Sequence, residues 1–372
     1  MKRKRRAITS SPRLVGAKRM PTLRRARPAI DPAPARARSE PRRDPATDPV
    51  VPADADLTVD LGRGLVLANP ILVAAGTFGY GVEYADIVDV DRLGAICCRG
   101  TTLRPRSGNP SPRMAETPGG LLNSVGLHDP GVDAVVEKYA SSWAGWHVPV
   151  IVNVAAESVG DYVEVVRRLE GVPGIAGVEL NLSCPDVGRG GLQFALDAGS
   201  AGQVTTAVRR ATDLPLLVKL SPDVADVRPI ARAVADAGAD VLTAINTVAG
   251  LALAPSRDGP LFGSVYGGLS GPAIKPVALR VVYEAAQAVR IPVVGIGGIT
   301  ELADVLDFLA VGAVAVQVGT ANFADPGLPL RLVDELAGEC ARQGRGTYRG
   351  LIGTALPKRA GRPSAKGVEY RP

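Results

Sequence analysis

The chain reads Val178-Glu179-Leu180-Asn181-Leu182-Ser183-Cys184-Pro185-Asp186-Val187 across the stretch that decides its fold. An apolar run ends there in an amide, a hydroxyl, a thiol and a proline, and a glycine-rich segment follows. This pattern predicts a buried strand that ends in a loop, where α/β enzymes carry their catalytic residues. Cys184, with Asn181 nearby, suits a nucleophile or a proton-transfer base. The alternative is a buried cysteine that acts as a small hydrophobe.

Apolar runs of strand length recur along the chain, and each is followed by a helical pattern. Continuous apolar runs are typical of parallel strands that are covered on both faces. The alternation predicts an α/β protein with a (β/α)8 TIM barrel, for which about 250 residues is typical. An open doubly wound sheet is the alternative, but no Gly-x-Gly-x-x-Gly opens a helix after the first strand. The eight predicted strands are Ile71 to Ala75, Gly94 to Cys98, Val148 to Val154, Gly177 to Leu182, Pro215 to Leu220, Asp240 to Ile245, Pro292 to Ile296 and Val314 to Val318. The predicted helices include Asp161 to Leu169, Gln203 to Ala211, Val227 to Ala237, Pro276 to Val289 and Glu301 to Ala310.

In a TIM barrel the residues just past each strand face one common mouth. Glycine turns after the seventh and eighth strands, at Gly295 to Gly298 and at Gly319-Thr320, stand where barrels commonly hold a phosphate on backbone N–H groups. Amides and a lysine at the other strand ends suit a flat heterocycle with several donors and acceptors. The sequence therefore predicts a ligand with a phosphate at one end. The other strand-end residues are Ala75-Gly76-Thr77, Arg99-Gly100-Thr101-Thr102, Asn153, Asn181, Cys184, Lys219 and Asn246-Thr247.

A set of motifs spread over the barrel carries a family resemblance. The motifs are Gly108 to Arg113, Glu116 to Gly120, Leu122 to Leu127, Asn181 to Pro185, Ile245-Asn246-Thr247, Gly267 to Pro276, Gly295 to Gly298 and Gln317 to Phe323. With them, the segment from about Leu57 to Leu356 resembles the catalytic subunit of class 1 dihydroorotate dehydrogenase, and class 1B most closely. The resemblance implies a TIM barrel over residues 53–357, preceded by a β-hairpin, with FMN as cofactor and dihydroorotate as substrate.

The resemblance also implies a role for each site residue. Cys184 is expected to be the base that takes the C5 proton of dihydroorotate while the C6 hydride passes to FMN. Lys219 is expected to offset the negative charge that builds on the flavin. The expected substrate contacts are Asn123, Ser124, Val125, Gly126, Leu127, Asn181, Asn246 and Thr247. The expected FMN contacts are Ala75, Arg99, Gly100, Asn153, Asn181, Lys219, Ile245, Gly271, Gly297, Gly298, Gly319 and Thr320.

Three loops are expected to shape the mouth. Residues 103–123 are too long for an ordinary connection, and their Pro118-Gly119-Gly120 turn predicts a hairpin that delivers Asn123 to the mouth. The segment from Val248 to Gly271 is expected to be a second mouth loop or part of a subunit contact. The glycine-rich residues after Cys184 are expected to close as a lid that excludes water.

Three positions depart from the family pattern. Arg99 stands where the family usually has lysine, Asp186 where it has asparagine, and Ala75 where it has serine. Arginine keeps the charge but presents a planar fork, and aspartate only accepts hydrogen bonds. These departures leave open a paralogue that acts on another dihydropyrimidine, or a flavin-binding scaffold of impaired activity.

The basic charge of the chain is concentrated in its first residues. Residues 1–50 carry a net charge of +11 and the whole chain +6, so the remainder carries −5. We expect residues 1–52 to be a disordered extension rich in Arg and Pro, with an arm for nucleic acid or anionic surfaces and an organellar transit peptide as alternatives. It has no apolar run for a signal peptide or a membrane span, and no apolar helix face. Residues 358–372 are expected to be a disordered tail.

The four cysteines lie outside any metal-ligand spacing, which predicts no metal site and a reducing, cytoplasmic compartment. Cys97 and Cys98 are expected in the core, Cys340 on the final helix, and His128 in a loop at the mouth. Without an internal cluster, electrons leaving FMN need an external acceptor. The resemblance to class 1B implies a separate FAD and iron–sulfur subunit that passes electrons to NAD, together with a homodimeric core. No sequence-specific nucleic acid and no membrane partner are expected.

Overall fold

The computed structural model describes residues 55–182 and 194–357 of the chain. The expectations for Cys184, Asp186 and the lid that follows them lie outside the described residues. The same holds for the basic extension and the C-terminal tail.

Fourteen strands occur in the described residues, and eight of them close into a parallel barrel. The eight barrel strands follow one another around the barrel in chain order, and the last pairs with the first. All eight predicted strands are confirmed, with ends that differ by no more than about two residues, within the usual uncertainty of such boundaries. In chain order, the strands are β1 (Val59–Asp60), β2 (Val66–Leu67), β3 (Ile71–Val73), β4 (Ala95–Cys97), β5 (Met114–Thr117), β6 (Gly120–Asn123), β7 (Val150–Val154), β8 (Ile175–Asn181), β9 (Leu216–Leu220), β10 (Val241–Ala244), β11 (Val248–Gly250), β12 (Gly267–Ser270), β13 (Val293–Ile296) and β14 (Ala315–Val318).

Helices cover the outside of the barrel, and the five predicted helices are confirmed. Side chains cap the first turn of some of them: the Ser158 hydroxyl accepts the N–H of Asp161, and Asp197 accepts the N–H of Ser200. Helices of the described residues, in chain order, are α1 (Val132–Trp143), α2 (Val159–Leu169), α3 (Ala198–Arg209), α4 (Arg228–Asp236), α5 (Lys275–Ala288), α6 (Leu302–Ala310), α7 (Ala321–Ala324) and α8 (Leu328–Arg342). Three 3₁₀ helices cover Val90–Arg92, Pro272–Ile274 and Tyr348–Leu351.

A second sheet, which we call the mouth sheet, consists of β5, β6, β12 and β11 in that order, all antiparallel. The predicted hairpin is confirmed as β5 and β6, joined through Pro118 and Gly119. The segment from Val248 to Gly271 contributes the other two strands. It therefore belongs to the mouth, which was one of the two alternatives predicted for it. β1 and β2 form the predicted N-terminal hairpin.

The core is continuous from the barrel interior to the helix layer. Cys97 and Cys98 are fully buried in it, and Cys340 is buried on α8, as expected. The large rings at the interface between strands and helices include Phe308, whose ring occupies the space beside Gly295. Burying such a ring typically contributes about 3 kcal/mol or more to stability. Buried polar side chains interrupt this core, and Asn153, Glu179, Lys219 and Gln317 among them lie on the barrel strands.

Candidate active site

One cavity of about 620 Å³ opens at the carboxyl ends of the barrel strands, a volume typical of small-molecule sites. All the described residues expected to contact the substrate or the cofactor line this cavity, except Ser124 and Gly126. Of the predicted strand-end residues, Thr101, Thr102 and Gly295 do not line it. The predicted residues in its lining are Ala75, Arg99, Gly100, Asn123, Val125, Leu127, Asn153, Asn181, Lys219, Ile245, Asn246, Thr247, Gly271, Gly297, Gly298, Gly319 and Thr320.

Ser124 and Gly126 are not in the lining but support the wall next to it. The Asn109 side chain donates to both the hydroxyl and the backbone carbonyl of Ser124. Gly126 has a φ of 77°, and a Cβ there would come within 2.7 Å of Asn109. Ser124 and Gly126 therefore hold in place the loop whose residues Val125 and Leu127 line the cavity.

One end of the cavity is a cradle of backbone turns at the ends of β13 and β14, formed by Gly297, Gly298, Gly319 and Thr320. Gly298 has a φ of 76°, and a Cβ there would lie 2.7 Å from the Cβ of Lys275, so only glycine fits. Thr320 donates its hydroxyl to Ser270 at 2.8 Å, which ties the cradle to the mouth sheet.

An ion pair anchors the loop behind the cradle. Asp304 accepts from the Lys275 ammonium, from the backbone N–H of Thr300 at 2.7 Å and from the Thr300 hydroxyl at 3.0 Å. Burial alone would raise the pKa of Asp304, but the hydrogen bonds from Lys275 and Thr300 outweigh it and hold the pKa below its usual value. The carboxylate therefore fixes the turn after β13 to the first turn of α6.

The middle of the cavity carries amides whose orientation is set by their neighbours. Asn246 donates its amide to the side-chain oxygen of Asn181 at 3.1 Å and accepts the backbone N–H of Thr247 at 2.8 Å. Tyr162 donates its hydroxyl to the backbone carbonyl of Asn181 at 2.7 Å, which holds the end of β8. Among the described residues no acceptor takes the amide N–H groups of Asn181, so they are available as donors for a ligand.

The mouth sheet forms another wall of the cavity. Asn123 lies at the end of β6 and donates to the carbonyl of Gly268 on β12 at 3.1 Å. His128 also lines the cavity, and its Nδ1 lies 3.4 Å from a guanidinium nitrogen of Arg113. The loop position predicted for His128 is confirmed, and the cavity is the surface that this loop faces.

Beneath the cavity, Glu179 forms the centre of a buried polar cluster. Its carboxyl accepts from the amides of Asn153 at 2.6 Å and Gln317 at 3.1 Å, and from the Cys97 thiol at 3.2 Å. The Lys219 ammonium lies 3.9 Å from the same carboxyl. Burial raises the pKa of the Cys97 thiol well above its usual value, and the negative charge of Glu179 raises it further. The thiol therefore stays protonated and donates a hydrogen bond to Glu179.

Sequence reasoning missed several residues in the cavity lining and in the polar cluster beneath it. Glu179 and Gln317 lie within the apolar runs that predict strands. The sequence does not show what such a polar side chain contacts, because its partners come together only when the barrel closes. Ser270, Phe323 and Arg331 also line the cavity, and Arg331 pairs with Asp325. Arg331 lies on α8, beyond the last strand. It could not be predicted as a site residue, because the prediction used only the residues that follow each strand.

Comparison with known families decides the classification. The family model described as dihydroorotate dehydrogenase matches residues 58–339. The chain belongs to the dihydroorotate dehydrogenase family. It is 51% identical over 271 residues to a protein of Pelobacter propionicus, covering 73% of this chain and 89% of the relative. It is 47% identical over 298 residues to a protein of Geobacter sulfurreducens, covering 80% and 97%. Both relatives are named dihydroorotate dehydrogenase B (NAD(+)), catalytic subunit.

A solved structure of dihydroorotate dehydrogenase from Eimeria tenella, in complex with ferulenol, shares the fold. The TM-score is 0.68 at 23% identity, and the match covers 81% of this chain and 89% of that one. The family membership and this likeness agree on a TIM barrel. Within residues 55–182 and 194–357, no helix combines the length and apolar composition needed to cross a membrane. The same residues contain no group of three or more His, Cys, Asp or Glu side chains that could hold a metal ion.

Proposed function

We propose that this chain is the FMN-binding catalytic subunit that oxidises dihydroorotate to orotate in pyrimidine biosynthesis. The observation that carries the proposal is one cavity in which a glycine cradle stands at one end and amides with a buried lysine stand in the middle. The names of relatives that cover most of this chain favour the same substrate. Residues 53–357 are the proposed catalytic domain.

The cavity fits FMN by the chemistry of its residues. The side-chain oxygen of Asn153 is buried and has no hydrogen-bond partner among the described residues, as expected where a ligand N–H completes the site. At the other end, the turns at Gly297, Gly298, Gly319 and Thr320 present backbone rather than side chains, as phosphate binding requires. FMN, when bound, supplies the hydride acceptor for the C6 hydrogen of the substrate.

The protein groups would bind and orient the substrate and remove its proton. Asn123, Asn181 and Asn246 would hold the ring and carboxylate of dihydroorotate, because amides donate to and accept from the same planar edge. Arg99 and Lys219 add positive charge to the cavity, which favours an anionic substrate. Cys184 would take the C5 proton, and orotate leaves after the C5–C6 double bond forms.

The electrons require a second acceptor, and we propose NAD reached through a separate electron-transfer subunit. The overall change is then dihydroorotate plus NAD⁺ to orotate, NADH and one proton. The relatives' names carry both NAD(+) and the word subunit. A homodimeric core and a cytoplasmic location complete the proposal. The three cysteines within the described residues are all free thiols, in agreement with a reducing compartment.

Anaerobic reduction of the purified protein tests this proposal. The protein should bind FMN and lose its yellow colour with dihydroorotate, because the substrate donates two electrons to the bound flavin. Dihydrouracil, which lacks the carboxylate, serves as the matched substrate and should reduce the flavin far more slowly. Bleaching by dihydrouracil alone would assign a different dihydropyrimidine. A flavin that neither substrate bleaches would indicate a scaffold without this activity.

The proposed base is tested by Cys184→Ala. Positioned proton transfer typically contributes about 10² to 10⁴ in rate, so flavin reduction should slow by that factor while FMN stays bound. Stopped-flow absorbance measures the rate, and Cys340→Ala, on α8 away from the cavity, is the matched control. An unchanged rate in Cys184→Ala would remove the cysteine from the mechanism.

A further inference from the structure

Glu179 is the most deeply buried carboxyl group next to the proposed cofactor site. It lies on β8 with 0% exposure, and all its hydrogen-bond partners are other residues of the barrel strands. Glu179 does not line the cavity, whereas its neighbours Asn153 and Lys219 do. Any effect of this carboxyl on a ligand must therefore pass through those two side chains or through its electric field.

The distance between Glu179 and Lys219 leaves the ammonium of Lys219 available to donate hydrogen bonds to a ligand. The 3.9 Å separation is too long for a hydrogen bond, but it is short for a Coulomb interaction inside a protein. Lys219 is only 5% exposed, and a buried ammonium is costly without a compensating charge. Within residues 55–182 and 194–357, no other carboxyl oxygen lies within 4.0 Å of it.

Glu179 also determines that the oxygen of the Asn153 amide, and not its N–H group, is left for a ligand. Asn153 donates its amide N–H to Glu179 at 2.6 Å, so its oxygen is the atom left without a partner. Gln317 is bound in the same way through its N–H, and its oxygen also has no partner among the described residues. Two buried amide oxygens without hydrogen-bond partners lower the stability of the fold. Because both belong to side chains held by Glu179, the cost indicates that this cluster serves the binding site.

We propose that Glu179 is a positioning residue that sets the reduction potential of the flavin through Lys219 and Asn153. The inference rests on the proposed FMN site. The Glu179 charge offsets part of the Lys219 charge, so electrons that reach the flavin are stabilised less than lysine alone would stabilise them. It also holds the Asn153 oxygen as the acceptor. Glu179 thereby keeps the potential low enough for electrons to pass onward.

The variant Glu179→Gln tests this with little change of shape. Its side-chain oxygen can still accept from Asn153 and Cys97, and its new N–H can donate to the oxygen of Gln317 once that amide turns over. Removing the negative charge should favour the reduced flavin by about tenfold at fixed potential, a shift of about +30 mV for a two-electron couple. The potential of the FMN-loaded protein is measured by equilibration with a reference dye.

The control is Glu339→Gln, a buried glutamate on α8 that lies outside the cavity lining. It should leave the potential unchanged even if the melting temperature falls. A purely structural role for Glu179 would likewise change the melting temperature and leave the potential in place. An unchanged or more negative potential in Glu179→Gln would overturn the inference. Wild-type protein that binds no FMN would instead overturn the proposed function.

A second measurement tests the coupling of the two charges if Glu179→Gln folds but does not retain FMN. Lys219→Met leaves the Glu179 carboxyl buried without its cation, and breaking one side of a buried pair is strongly destabilising. The double variant Glu179→Gln with Lys219→Met buries neither charge, so it should melt at a higher temperature than Lys219→Met alone. A double variant that is no more stable would show that the two groups are not coupled, and the inference would fall.

Discussion

The two ends of the cavity are built in different ways. The cradle end uses backbone at the ends of β13 and β14, which are fixed by pairing on both sides in the closed barrel. The mouth-sheet end uses side chains on β6, in a four-stranded sheet with two free edges. Recognition by backbone depends on the absence of side chains, and recognition by Asn123 depends on the presence of one. A substitution should therefore act more sharply at the cradle than at the mouth sheet.

The largest expected effect is at the cradle, with Gly319→Val. A Cβ at Gly319 meets only Ala74 and Thr77, at 3.7 and 4.0 Å, so the protein itself tolerates it. The valine methyl groups would crowd the bound cofactor, and overpacking of about 3 kcal/mol corresponds to roughly 150-fold weaker FMN binding. The measurement is FMN content after purification, together with the melting temperature.

The control for this variant is Gly346→Val, because a Cβ there meets nothing within 4 Å and the residue is not in the cavity lining. Gly298 is a poorer choice, since its positive φ would strain any side chain whether or not FMN binds there. Full FMN occupancy in Gly319→Val would place the cofactor phosphate away from this turn.

An intermediate effect is expected at the mouth sheet, with Asn123→Ala. The loss of one hydrogen bond to a charged ligand costs about 1.5 kcal/mol, so orotate should bind roughly tenfold more weakly. FMN content should stay at the wild-type level, because Asn123 is not one of the cradle residues. Titration of the flavin spectrum with orotate measures the affinity.

Glu116→Ala is the matched control, since Glu116 is exposed on β5 of the same sheet and outside the lining. It should leave orotate binding unchanged. Equal weakening by both variants would mean that the sheet as a whole matters and that Asn123 does not contact the substrate.

The smallest effect is expected behind the cradle, with Asp304→Asn. Removing the charge weakens the bonds to Lys275 and Thr300 and should cost about 1 kcal/mol at neutral pH. Because the folded pKa of Asp304 is depressed, its stabilisation is present above the ordinary pKa of about 4 and is lost as the pH falls through the folded value. The difference in melting temperature between wild type and variant should therefore shrink below about pH 4.

Asp334→Asn provides the comparison, because Asp334 forms an exposed ion pair with Arg92. Exposed pairs contribute little, so this variant should change the melting temperature less at neutral pH. A pH-independent difference for Asp304→Asn would mean that the carboxylate charge is not what holds the turn.

The sequence predicted those parts of the molecule that depend on local patterns. The barrel strands follow from apolar runs, and the β5–β6 hairpin follows from Pro118-Gly119-Gly120. The pairing of β6 with β12 could not be read in this way, because Asn123 and Gly268 are brought together only by the folded barrel. The Glu179 cluster was missed for the same reason: its four partners come from four different strands.

Closure of the barrel between its first and last strands has a consequence for biosynthesis. β14 pairs with β3 through Val316 with Ile71 and Val318 with Val73, so the last strand is needed to complete the ring. Ala75 and Thr320, which line one cavity, come from these two ends. A nascent chain that has not yet emerged past Thr320 lacks part of the binding site. If the proposed FMN binds in this cavity, it is expected to bind only to chains whose translation has passed the eighth strand, and yellow colour would mark those chains.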